Sequence, residues 1–142
     1  MTKSIYIAGG WFDEQQENAL RTIINTLQHN KSVNTLFIPM EHQAEAEEFS
    51  QPWQDLTFRS DIAGIQNSDI LLATLTDNPD TGTIWEIGYA YGINKPVLAY
   101  NTKTSLNLMP AKGTLYFIDN INDLEHFDFN NLPSNLWMGN VQ

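Results

Sequence analysis

The run Asp69-Ile70-Leu71-Leu72-Ala73-Thr74-Leu75 is apolar at nearly every position rather than at alternate ones. A strand with one wet face alternates; a run without alternation suits a strand buried on both faces, as in a parallel sheet covered by helices. Immediately around it, Trp53 to Ile65 and Thr83 to Ile93 predict helices. Further upstream, Ser4 to Ala8 and Thr35 to Met40 read as strands, the first stopped by Gly9-Gly10. Between them Asp13 to Gln28 carries Ala19, Leu20, Ile23, Ile24 and Leu27 at helical spacing. Downstream, Pro96 to Tyr100 and Thr114 to Ile118 supply two more strands, and Ile121 to Phe127 a short last helix. His42 to Gln51 is acidic and reads as a mobile loop. Strands alternating with helices through right-handed crossovers give an α/β, doubly wound, five-stranded parallel sheet in the order 2-1-3-4-5. Residues 1–142 read as a single domain without linker or repeat.

Such sheets bind ligands beyond the carboxyl ends of the strands where strand order reverses, here between the first and third strands. That directs attention to two loops, Gly9 to Asp13 and Thr76 to Thr83.

The charge narrows the ligand. Seven basic and 17 acidic residues leave −10, and Lys3, Arg21, Lys31, Arg59, Lys95, Lys103 and Lys112 are scattered singly. A nucleic-acid polymer needs a basic stripe, so it is not expected as a partner, whereas a neutral small molecule is not penalised. No apolar run approaches the roughly eighteen residues of a membrane span, no signal peptide is apparent, and there is no cysteine. A cytoplasmic protein is the expectation.

The loop Asp77-Asn78-Pro79-Asp80-Thr81-Gly82-Thr83-Ile84-Trp85-Glu86 concentrates three carboxylates at a strand end and a helix start. In the first turn of the predicted helix, Glu86 would be favoured in its ionised form by the helix dipole, as a carboxylate nucleophile requires. Thr83-Ile84-Trp85-Glu86 equally fits a capping box, in which Glu86 only bonds back to the Thr83 amide. Asp77 and Asp80 also suit turn formation around Pro79. Asp61 lies with Phe58 and Ile65 at i, i+3, i+7, on the apolar stripe of its helix, where partial burial raises a carboxyl pKa and suits a proton donor. The alternative is a helix break near Ser60, with Asp61 as cap or as the partner of Arg59.

Gly9-Gly10-Trp11-Phe12 lets backbone approach a ligand but lacks the spacing of a dinucleotide loop and the lysine of a triphosphate loop. Trp11 and Phe12 offer a wall for stacking a flat base, or anchor the following helix. His29, His42 and His126 are isolated, and the Asp77 to Gly82 run has Pro79 and Thr81 where calcium ligands belong. No metal and no cofactor are expected.

Four segments in order resemble the nucleoside 2-deoxyribosyltransferase family: Ile5-Tyr6-Ile7-Ala8-Gly9-Gly10-Trp11-Phe12, Asp61-Ile62-Ala63-Gly64-Ile65, Asp80-Thr81-Gly82-Thr83-Ile84-Trp85-Glu86-Ile87-Gly88-Tyr89-Ala90, and Leu106-Asn107-Leu108-Met109. The resemblance implies a flavodoxin-like sheet and transfer of a 2-deoxyribosyl group between nucleobases through a covalent glutamyl intermediate. It implies that Glu86 is the nucleophile, that Asp61 handles the proton of the base, that Asp80 binds the sugar hydroxyl and helps position Glu86, and that Tyr6 hydrogen-bonds Glu86. Gly9, Phe12 and Gln43 would line the substrate site. Asn107 and Met109 would reach a neighbouring subunit's site, making the enzyme a homo-oligomer. Its partners would be 2'-deoxynucleosides and free purine or pyrimidine bases. Family members often end in an aromatic residue whose carboxylate closes the site, whereas this chain ends Gly139-Asn140-Val141-Gln142. The loop from Gly9 to Phe12 resembles the branch of broad base specificity, and Pro133-Ser134-Asn135 the purine-preferring branch, so base preference stays open.

Two other readings stand beside this one. A 2'-deoxynucleoside 5'-monophosphate N-glycosidic hydrolase would share the sheet and the glutamate but needs a phosphate cradle, and no Arg or Lys lies between Gly9 and Gln16. A non-catalytic nucleotide-sensing module would need no nucleophile at all.

Overall fold

In the computed structural model, which describes residues 1–76, 79–101, 105–135 and 137–142, the strands are β1 (Lys3–Ala8), β2 (Val33–Phe37), β3 (Ile70–Leu75), β4 (Val97–Asn101), β5 (Ser105–Leu106), β6 (Tyr116–Ile118) and β7 (Asn140–Val141). The helices are α1 (Glu14–Leu27), α2 (Gln51–Asn67), α3 (Thr81–Gly92), α4 (Leu108–Gly113) and α5 (Ile121–Leu124). The main sheet is parallel throughout and ordered β2-β1-β3-β4-β6. Counting only its own strands, this is the expected 2-1-3-4-5 order.

The central run behaves as its composition requires. Every residue of β3 is buried, and its side chains divide between two apolar clusters, one on each face. Ile70 and Leu72 join Ile5 and Ile7 beneath α1, which contributes Leu20, Ile23 and Leu27. Leu71, Ala73 and Leu75 join Tyr6 and Ala8 on the opposite face, beneath Ile65 of α2 and Ile87 and Ala90 of α3. Each fully buried Leu or Ile contributes about 1.5–3 kcal/mol relative to exposure.

Several boundaries move for local reasons. The second strand ends at Phe37 rather than Met40, because Pro39 has no amide to continue the ladder and instead starts a short 3-10 turn, Pro39–His42. Asp69 stays outside β3: its Oδ2 accepts from the Ser4 amide and hydroxyl, tying the start of β1 to that of β3. The final sheet strand is Tyr116–Ile118 and the final helix only Ile121–Leu124. The sequence reading missed α4 and a second, two-stranded parallel sheet, in which Ser105 and Leu106 pair with Asn140 and Val141; two-residue strands carry no periodicity to detect.

The break considered near Ser60 is absent. α2 runs unbroken through Asp61, started by the Ser50 side chain accepting from the Trp53 amide at 3.3 Å. Of its residues only Gly64 and Ile65 are buried, and Phe58 is 56% exposed. The stripe carrying Asp61 therefore borders an open cleft instead of a closed core.

Candidate active site

At the carboxyl ends of β1 and β3 lies a cavity of about 550 Å³. Three chain segments wall it: the loop after β1, the stretch from Pro39 into α2, and the start of α3. Asp61, Asp80 and Glu86 all border it, as do Gly9, Phe12 and Gln43. Tyr6 is wholly buried and does not line the cavity, but its hydroxyl donates to Glu86 Oε2. Asn107 and Met109 do not line this cavity; Asn107 caps α4, accepting from the Met109 amide at 3.0 Å, and the Met109 side chain is exposed. Asp77 lies outside the described residues.

The start of α3 differs from both sequence alternatives for Glu86. The helix begins at Thr81, two residues early, because Asp80 is its cap: Asp80 Oδ2 accepts from the Thr83 amide at 2.9 Å and the Thr83 hydroxyl at 3.1 Å. Thr83 is thus inside the helix and wholly buried, so no capping box forms, and Asp80 is a cap before it is a turn former. The shift carries Glu86 into the second turn, beyond the reach of the terminal dipole. Its ionised form is not favoured as expected. Burial pushes the Glu86 carboxyl up to about 7, with the nearby Asp61 and Asp80 charges adding to the rise and the Tyr6 hydrogen bond opposing it.

Asp61 is also raised, to about 6, by burial, with His42 pulling the other way. Tyr6 is pushed upward by its own burial and by the Glu86 charge, so its hydroxyl keeps its proton and serves as a donor. The cavity consequently holds two carboxyl groups that change charge near neutrality, Asp61 and Glu86, a donor fixed on Glu86, and two further acidic side chains, Glu48 and Asp80. Its described lining includes no Lys or Arg. Among the described residues no group of three or more His, Asp or Glu is arranged to hold a metal ion.

The glycines of the first loop act chiefly through close approach. A Cβ on Gly9 would lie 2.6 Å from Thr74 Oγ1 of β3, and one on Gly10 2.7 Å from Asp80 Cβ, so the first loop can lie this close to β3 and to Asp80 only without side chains there. Asp13 caps α1 through the Gln16 amide, and Gln16 Oε1 accepts from the Phe12 amide at 3.1 Å. The Phe12 backbone is held while its ring is left 75% exposed. Trp11 stacks on Phe12, with ring centroids 5.7 Å apart, and also packs against the core; it is both anchor and wall.

Sequence reasoning missed further parts of the wall. The ring of His42, read from the sequence as isolated, stacks on Phe37 at 4.1 Å, and Phe37 stacks on Tyr6 at 5.3 Å. Phe49, Trp53 and Trp85 also border the cavity. Little in the sequence marks them, since stacking across segments leaves no spacing to read. At the chain end, the Gln142 amide donates to the Leu106 carbonyl and its carbonyl oxygen accepts from the Leu108 amide, so the terminus lies beside the segment Asn107 to Met109.

Comparison with known proteins identifies the family. A family model for nucleoside 2-deoxyribosyltransferase matches residues 5–136. The chain is 27% identical over 154 residues to a nucleoside deoxyribosyltransferase of Lactobacillus leichmannii, covering 98% of each. It is 28% identical over 144 residues to one of Limosilactobacillus fermentum, covering 89% of this chain and 86% of that protein. The solved structure of a 2-deoxyribosyltransferase from Bacillus psychrosaccharolyticus superposes with a TM-score of 0.80 at 31% identity, covering 95% of this chain and 99% of that one. A conserved protein from Enterococcus faecalis V583, 22% identical with a TM-score of 0.71, shares the fold. The matched residues span all of the main sheet but the first two residues of β1, and both helices that carry Asp61 and Glu86, and the chain belongs to the nucleoside 2-deoxyribosyltransferase family.

Proposed function

We propose that the protein transfers the 2-deoxyribosyl group of a 2'-deoxynucleoside from one nucleobase to another, with Glu86 as the nucleophile. The observation that carries this reading is Glu86 itself: a partly buried carboxylate, facing an aromatic-walled cavity and bonded to a buried tyrosine hydroxyl.

The chemistry follows the retaining logic of two carboxyl groups with separate tasks. A Glu86 oxygen forms a bond to C1' as the C1'–N bond breaks, and the electron pair leaves with the base. Protonated Asp61 gives its proton to that base, which departs neutral; a carboxyl raised to about 6 retains a useful protonated fraction near neutrality. The second base then attacks C1', Glu86 leaves as carboxylate, and Asp61 recovers a proton from the incoming base. A 2'-deoxy sugar reaches the oxocarbenium-like transition state more readily because it lacks an electron-withdrawing hydroxyl beside C1'. Asp80 is assigned to the sugar hydroxyl: both its cap bonds fall on Oδ2 and neither uses Oδ1. Phe12 and Gln43 are assigned to the base.

Asn107 and Met109 are assigned to a neighbouring copy's site, in a homo-oligomer. Met109 is 75% exposed with Leu108 exposed beside it, which supports a covered face there in the assembly. A cytoplasmic setting belongs to the same reading. Among the described residues no helix is long and apolar enough to cross a membrane.

The monophosphate hydrolase fits less well. The described lining offers a phosphate no Lys or Arg and would set it among Glu48, Asp61, Asp80 and Glu86. Incubation with deoxyinosine, with and without free adenine, separates the readings by chromatography. Formation of deoxyadenosine only when adenine is present supports transfer. Hypoxanthine released equally without acceptor supports hydrolysis, and no reaction supports a binding module.

A further inference from the structure

Phe49 combines two features that are unfavourable in a folded chain. Its backbone sits at φ 68, in the left-handed region that a bulky side chain rarely occupies, and its ring is 72% exposed. Among the described residues the other non-glycine with positive φ is Asn94, of a type that tolerates that region and placed just past the end of α3. Phe49 has no such excuse. Its conformation is held by neighbours on both sides: the Ser50 amide donates to the Glu47 carbonyl at 3.0 Å, and Gln54 Nε2 donates to the Phe49 carbonyl at 2.9 Å. Backbone strain maintained by its surroundings points to a task for the side chain.

The position suggests the task. The Phe49 ring meets Trp53 edge-on, with centroids 5.2 Å apart, and both residues line the cavity that holds Asp61 and Glu86. Trp11 and Phe12 line the same cavity from a different loop. We infer that Phe49, braced by Trp53, is a nucleobase-contacting residue, a second aromatic wall supplied by the segment before α2. A flat base presents a π face to either wall, and stacking of this kind is strong without being sequence-selective. This inference rests on the transferase reading, since it is that reading which puts a base in the cavity.

Phe49→Gly removes the ring and at the same time relaxes the backbone, so a binding role and a structural role move stability in opposite directions. Three quantities are measured on wild type and variant: the thermal midpoint, adenine affinity from tryptophan fluorescence without turnover, and exchange kinetics from deoxyinosine to adenine. The inference expects a midpoint raised by a few degrees, adenine bound about ten-fold more weakly, and KM for adenine raised by a similar factor with kcat little changed. Wild-type adenine affinity and KM in the variant would overturn it. So would a lower midpoint, whatever the kinetics, because the ring would then be a structural prop. Altered sedimentation with unchanged KM would assign the ring to a contact between copies and overturn it equally. A wild-type protein that binds adenine but exchanges no base would sink the transferase reading instead, and the adenine affinities would still decide the role of Phe49.

Discussion

The hydroxyl of Tyr6, whose ring is wholly buried in β1, donates to Oε2 of Glu86 in the second turn of α3. The bond joins the central sheet to the proposed nucleophile, and it lowers the Glu86 pKa against burial and two neighbouring carboxylates. Tyr6→Phe should therefore move Glu86 above about 7. The acid limb of the kcat/KM profile should shift to higher pH, with activity at pH 6 falling about ten-fold and recovering in part by pH 8.5. An unshifted limb would separate Tyr6 from the ionisation of Glu86.

Stability should carry the same signature with a defined sign. Glu86 is raised from 4.5 to about 7, so the folded protein holds this proton more tightly than the unfolded chain. The associated stability is fully present below the unfolded value and is lost as pH rises through about 7. Glu86→Gln cannot ionise. It should be more stable than wild type at pH 8 by on the order of 3 kcal/mol, with the difference fading toward pH 4.5. Calorimetry at the two pH values checks this; a variant less stable at pH 8 would contradict it.

Asp61→Asn should fold at least as well as wild type at neutral pH, because it removes a charge that burial disfavours. Exchange should slow on the order of 10²-fold or more, since the base would depart without a proton. Unchanged turnover would make Asp61 a structural residue.

Gly64 tests how the site is braced from behind. A Cβ there would lie 2.7–2.9 Å from the Phe37 ring, which is stacked between Tyr6 and His42. In a helix Ala ordinarily stabilises relative to Gly, so Gly64→Ala sets propensity against a clash. The clash should win, lowering stability by about 1–3 kcal/mol. If the displacement passes through Phe37 to Tyr6, the acid limb should move in the same direction as in Tyr6→Phe. A more stable variant with a wild-type pH profile would show that the ring pile does not position Tyr6.

Most of the fold was legible because burial writes itself into the sequence. The unbroken run from Ile70 to Leu75 announces a central parallel strand, and the spacing of Leu20, Ile23 and Leu27 announces the buried face of α1. Local competition was harder to read. Thr83 read as the start of α3 and Asp80 as a turn former, and only tertiary placement, with Thr83 buried and Asp80 at the cavity edge, makes Asp80 the cap. That two-residue shift changes the environment of Glu86 from a helix terminus to a buried second turn. The residues of the site that bear carboxylates stood out by chemistry and by resemblance. Phe37, His42 and Phe49 did not, since their significance lies in contacts between segments distant in sequence.

The central claim is a covalent bond between Glu86 and the sugar. Wild-type protein mixed with a 2'-deoxynucleoside, acceptor base omitted, should show by intact-protein mass spectrometry an adduct of one deoxyribosyl unit, mapped by proteolysis to Glu86, absent in Glu86→Ala, and discharged on adding adenine. Active enzyme with no adduct under rapid quenching, together with intersecting rather than parallel initial-rate lines, would mean direct transfer between bases and would contradict the account.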